Sequence, residues 1–74
     1  MYTYRVYNNA TGEVWEHTAP ARSIAFQAAL KSASHMARAN IREGYGSKKQ
    51  PLVRLYEEIE EATCVKFVER RLPL

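Results

Sequence analysis

The chain has 74 residues, 46% of them apolar and 26% charged, with a net charge of +3 and a pI near 9.2. A chain this short folds as one domain, residues 1–74, that buries only roughly 60% of its unfolded surface, which excludes a large enclosed active site. Its one cysteine, Cys64, excludes an internal disulfide and favours a reducing, cytoplasmic setting; no apolar run approaches the ~20 residues of a membrane span, and MYTYRVY does not fit a signal peptide.

Tyr2 to Tyr7 alternates, with Tyr2, Tyr4 and Val6 on one face and Thr3, Arg5 and Tyr7 on the other, and predicts a first strand. Asn8-Asn9-Ala10-Thr11-Gly12 supplies turn residues for a hairpin loop, because Asn tolerates and Gly prefers positive φ. Asn9-Ala10-Thr11 also matches the glycosylation triplet, which carries no meaning in a cytoplasmic chain. Glu13 to Thr18 returns as a second strand, and the bulk of Trp15 argues that its side turns inward.

Pro20 to Gly44 reads as one amphipathic helix of roughly 22 residues, about 33 Å long. Phe26, Ala29, Leu30, Ala33, Ala37, Asn40 and Ile41 form its buried stripe, with Met36 at one edge. Three of these are alanines, which suits close packing on a sheet. Pro20 fits the first turn and Gly44 the left-handed position after the last. On the opposite side Lys31, His35, Arg38 and Arg42 follow steps of four, three and four, with no acid between them. Residues 1–50 hold seven Lys and Arg against three Glu, so the basic character belongs to the part of the chain that contains this ridge.

Tyr45 to Gln50 reads as a mobile polar loop closed by Pro51. From Leu52 to Ala62, Leu52, Leu55, Tyr56, Ile59 and Ala62 follow helical spacing, and Pro51 can start the turn. The strand template for the same stretch must place Glu57 on the apolar face, so a short second helix is the expectation. Thr63 to Arg70 is the last strand, with Val65 and Phe67 on one face and Cys64, Lys66 and Val68 on the other, and Leu72-Pro73-Leu74 is a tail. The expected fold is α+β: a three-stranded antiparallel sheet from 2–7, 13–18 and 63–70, packed against the long helix and the short one (ββααβ). The alternative is four strands around one helix (ββαββ).

Lys31, His35, Arg38 and Arg42 can meet phosphates along a nucleic-acid backbone or carboxylates on an acidic protein. Ile24, Ala28 and Ala39 dilute the charge on the same side, which is ordinary at a protein contact and poor company for phosphate. Ile24 and Tyr45 are the candidate apolar anchors, and Lys48 and Lys49 extend the cationic set beside Gly46 without making a phosphate loop. Arg5, Tyr7 and His17 on a sheet face offer a weaker platform for stacking bases. The cluster Glu57, Glu58, Glu60 and Glu61 reads as solvated, or as a contact for a basic surface. Cys64, His17 and His35 lack ligand or nucleophile spacing, so no metal, cofactor or catalysis is expected, and Cys64 should pack as a small apolar residue.

In size, in a tyrosine-rich hairpin leading to one long helix, and in its lack of catalytic groups, the chain resembles the small phage-encoded inhibitors of host machinery, anti-CRISPR proteins among them. The likeness covers layout and no single residue. It implies a protein of the host cytoplasm that occupies a surface on a larger nucleic-acid-handling complex. The function expected is therefore a non-enzymatic interaction module, an inhibitor or regulator docking on an acidic protein through the basic helix face. The alternative is direct nucleic-acid binding through the same residues, and self-association as a homodimer is a third reading.

Overall fold

A computed structural model describes residues 1–47 and 52–73. The elements are β1 (Tyr2–Asn8), β2 (Val14–Ala19), α1 (Arg22–Arg42), β3 (Val53–Glu61) and β4 (Cys64–Arg70). The four strands form one antiparallel sheet in the order β2-β1-β3-β4. Two expectations are thereby corrected: the sheet has four strands rather than three, and residues 53–61 are a strand rather than a second helix. The element order is the alternative, ββαββ. Of the loop at 45–50, expected to be mobile and closed by Pro51, residues 48–50 and Pro51 lie outside the described residues.

The strand at 53–61 is amphipathic once Glu57 is counted with the inner row. Register places Val53 opposite Asn8, Leu55 opposite Val6 and Glu57 opposite Tyr4, so all three face α1. Glu57 is only 7% exposed, and two arginines neutralise it there. Arg22, at the start of α1, donates from Nε to Oε2 at 2.9 Å and from Nη2 to Oε1 at 3.0 Å, and Arg70 of β4 donates from Nε to Oε1 at 2.9 Å. Hydrogen bonds from Arg22 hold the Glu57 carboxyl at a pKa of about 2 despite its burial, and burial beside Glu57 raises the Tyr4 phenol above its ordinary value. A carboxylate with this partner set is compatible with an inner strand face.

Helix α1 connects the edge strand β2 to β3 and crosses β1 on the way. Its buried side carries Ala25, Ala29, Ala33 and Ala37 at every fourth position, with Ser32, Met36 and Asn40 beside them. Methyl-sized side chains let the helix rest close on Tyr4, Val6 and Leu55, the largest fully buried side chains. Half-buried Phe26 closes the margin, its ring 5.5 Å from that of Tyr4. Asn8 and Asn40 exchange side-chain hydrogen bonds at 3.1 and 3.0 Å inside this layer, tying the end of β1 to the last turn of the helix.

The helix begins at Arg22 rather than at Pro20, after an extended Ala21 that offers no side-chain cap. Its end is a Schellman motif: Gly44 takes φ 84°, its N–H donates to the Ile41 carbonyl at 3.1 Å, and the Tyr45 N–H donates to the Asn40 carbonyl at 2.7 Å. The position of Tyr45 follows from these bonds.

Candidate functional site

The outer side of α1 carries Ile24, Ala28, Lys31, His35, Arg38 and Arg42 at successive steps of four and three, one line along a single unbroken helix. From Ile24 to Arg42 this stripe is about 27 Å long. Ile24 is 59% exposed, and Lys31, His35, Arg38 and Arg42 are exposed. None of the four is ion-paired among the described residues. Ser23, Ile24, Gln27, Ala28 and Lys31 line a shallow depression at the N-terminal half of the stripe. One end is thus apolar and concave, and the other cationic. Tyr45 stands past the cationic end, 48% exposed, while Lys48 and Lys49 lie outside the described residues.

The open face of the sheet is largely satisfied by its own residues. Arg5 donates to Glu16 at 2.8 Å and lies 4.1 Å from the Phe67 ring centroid, Tyr7 meets Tyr56 edge-on at 5.1 Å, and Arg54 pairs with Glu69 at 2.8 Å. This hydrogen bond to the Glu16 carboxylate raises the Arg5 guanidinium above its ordinary pKa. His17 is not part of this face. It sits opposite Tyr4 on the helix side, where its Nε2 and the Ser32 hydroxyl are 2.7 Å apart. The grouping of Arg5, Tyr7 and His17 as a stacking platform is corrected accordingly.

The acidic residues divide. Glu57 is the buried ion-pair centre, Glu61 pairs with Lys66, and Glu58 and Glu60 line a broad concavity with Met1, Tyr2 and Thr3. Cys64 is exposed rather than packed, because α1 does not reach over the start of β4. It lies on one edge strand and His17 on the other, and among the described residues no three His, Cys, Asp or Glu side chains are placed to hold a metal. No described helix is long and apolar enough to cross a membrane.

A notch between the β1–β2 loop and the last turns of α1 brings together residues that sequence reasoning left apart. Trp15, Glu13, His35, Met36, Glu43 and Tyr45 are among its lining residues, around a volume of about 150 Å³. Trp15 does turn to the helix side, yet it is 43% exposed, because it sits near the end of an edge strand. Its indole Nε1–H donates to Glu13 Oε2 at 3.3 Å, and the Thr11 hydroxyl donates to Glu13 Oε1 at 3.0 Å. The hairpin thus holds a carboxylate beside an aromatic ring.

The chain matches no family model, no curated protein and no solved structure. Its functional reading therefore stands on these surfaces.

Proposed function

We propose that the chain is a non-enzymatic protein-interaction module that docks the outer stripe of α1 on an acidic surface of a partner protein. The observation that carries this reading is the exposed line from Ile24 to Arg42, interrupted by no acid and divided into an apolar and a cationic half. Lys31, Arg38 and Arg42 steer approach and set orientation, and Ile24 supplies apolar area to bury. Burying an isoleucine of this exposure is worth about 1–2 kcal/mol. A phosphate backbone has no complement for Ile24 and Ala28, which favours protein over nucleic acid. The likeness in layout to small phage-encoded inhibitors supports a role exerted by occupancy, as an inhibitor or regulator of a larger assembly in the cytoplasm.

Affinity capture from nuclease-treated lysate of the source cell tests this. The wild-type chain should retain a protein partner, and the Lys31→Glu/Arg38→Glu/Arg42→Glu variant should lose it while keeping the wild-type circular dichroism spectrum. Equal capture by the variant overturns the proposal. So does retardation of free DNA or RNA by the wild type that weakens steeply from about 50 to about 200 mM salt, the behaviour of direct phosphate contacts.

A further inference from the structure

We infer that the notch beside the C-terminal end of α1 is a receptor for a single arginine side chain presented by a protein partner. This goes beyond the docking stripe, uses different residues apart from His35 on their shared rim, and does not depend on it. Two half-exposed rings, Trp15 and Tyr45, border the notch, and among the described residues neither is stacked on another aromatic. An uncovered face of such a ring attracts a cation through its quadrupole. Two carboxylates, Glu13 and Glu43, line the same space, and among the described residues no lysine or arginine does. Glu43 caps the C-terminus of α1, where the helix dipole adds negative potential.

The two carboxylates and the helix end therefore contribute potential of one sign, with the His35 imidazole beside them on the rim. Asn8, Asn40 and Met36 form a buried floor that carries no charge. At about 150 Å³ the notch is smaller than a site for a drug-sized molecule and suits one side-chain head group. A guanidinium matches it better than an ammonium, because its plane can lie on an aromatic ring while its edge donates to a carboxylate. Part of the notch is also fixed before any ligand arrives. The Glu13 carboxylate is held by Thr11 and Trp15, and the backbone at Tyr45 by the hydrogen bonds of the helix end. Such preorganisation lowers the cost of binding.

Trp15 is the chain's only tryptophan, so its emission and its indole N–H resonance report on the notch alone. The probes are N-acetyl-arginine amide, the neutral isostere N-acetyl-citrulline amide, and N-acetyl-lysine amide. Arginine should produce a saturable change with a Kd on the order of millimolar, as for one solvent-facing side chain. Citrulline should be silent, and lysine should bind more weakly. The Glu13→Gln/Glu43→Gln variant, checked for folding by circular dichroism, should bind arginine at least about tenfold more weakly. The Lys31→Glu/Arg38→Glu/Arg42→Glu variant should titrate no more weakly than the wild type, which keeps this test separate from that of the docking stripe. No saturable response, an equal response to citrulline or lysine, or an unchanged affinity in the Gln/Gln variant overturns the inference.

Discussion

Replacing Glu57 with Gln should destabilise the protein at neutral pH and should remove a specific part of its acid sensitivity. The carboxyl ordinarily titrates at 4.5 and is held at about 2 in the fold, chiefly by hydrogen bonds from Arg22. A difference of that size corresponds to about 3 kcal/mol of stabilisation when the group is ionised. The Arg22 side chain is 60% and the Arg70 side chain 36% exposed, so solvent screening lowers the figure to about 2 kcal/mol. For a domain of this size that is a fall in Tm of about 8–16 °C. Because the folded-state pKa is the depressed one, the unfolded chain takes up this proton first as pH falls. The stabilisation is complete above pH 4.5 and is lost progressively toward about pH 2.

Paired urea titrations of wild type and Glu57→Gln at steps between pH 7 and pH 2.5 isolate this group, since the other carboxyls titrate in both proteins. The stability gap should be largest at pH 7 and should narrow steadily below pH 4.5. A gap that stays constant over that range, or one near zero at pH 7, would refute the assignment of Glu57 as the charged centre of the inner face.

Other outcomes follow from the same geometry. Asn40→Ala leaves the buried Asn8 amide without its reciprocal partner and should cost about 2–3 kcal/mol in urea denaturation, with no shift in its pH dependence between 5 and 8. Ala33→Leu inserts three carbons where the helix rests on the sheet with no exposure at all, and should cost about 1–3 kcal/mol by the same assay. Ile24→Asp should leave stability within about 0.5 kcal/mol of wild type, because the residue is exposed, yet should abolish partner capture.

The first half of the fold was legible because its signals are local. Alternation in Tyr2–Tyr7, turn residues at Asn8–Gly12 and a helical period that persists to Gly44 each need only a short window. The strand at 53–61 was not, although the one at 63–70 was, and the reason lies in Glu57. Its tolerance on an inner strand face comes from Arg22, thirty-five positions away, and a local pattern cannot show that pairing. Without it, Leu52, Leu55, Tyr56 and Ile59 fit the helical template better than the strand one. The β3–β4 turn hides in the same way. Its Ala62 takes φ 57° with no Gly, Asn or Pro at the bend, so the usual turn chemistry is missing.

The two candidate surfaces differ for the same reason. The stripe from Ile24 to Arg42 follows from one period on one helix, and the structure keeps that helix whole. The notch draws on a hairpin loop, an edge strand and a helix cap, so only folding assembles it. Both surfaces also follow from how this small chain fills its interior. A core seated on a helix of alanines takes in few bulky side chains: Tyr4, Val6 and Leu55 are the largest fully buried. Ile24, Trp15 and Tyr45 are left outside, each beside fixed charges: Ile24 on the line that runs to Lys31, Trp15 and Tyr45 in the notch with Glu13 and Glu43. Scattered apolar exposure is ordinary on a protein surface, whereas bulky side chains placed beside complementary charge are the arrangement that recognition requires. The close-set helix thus holds the sheet with its small residues while Ile24, Trp15 and Tyr45 stay at the surface.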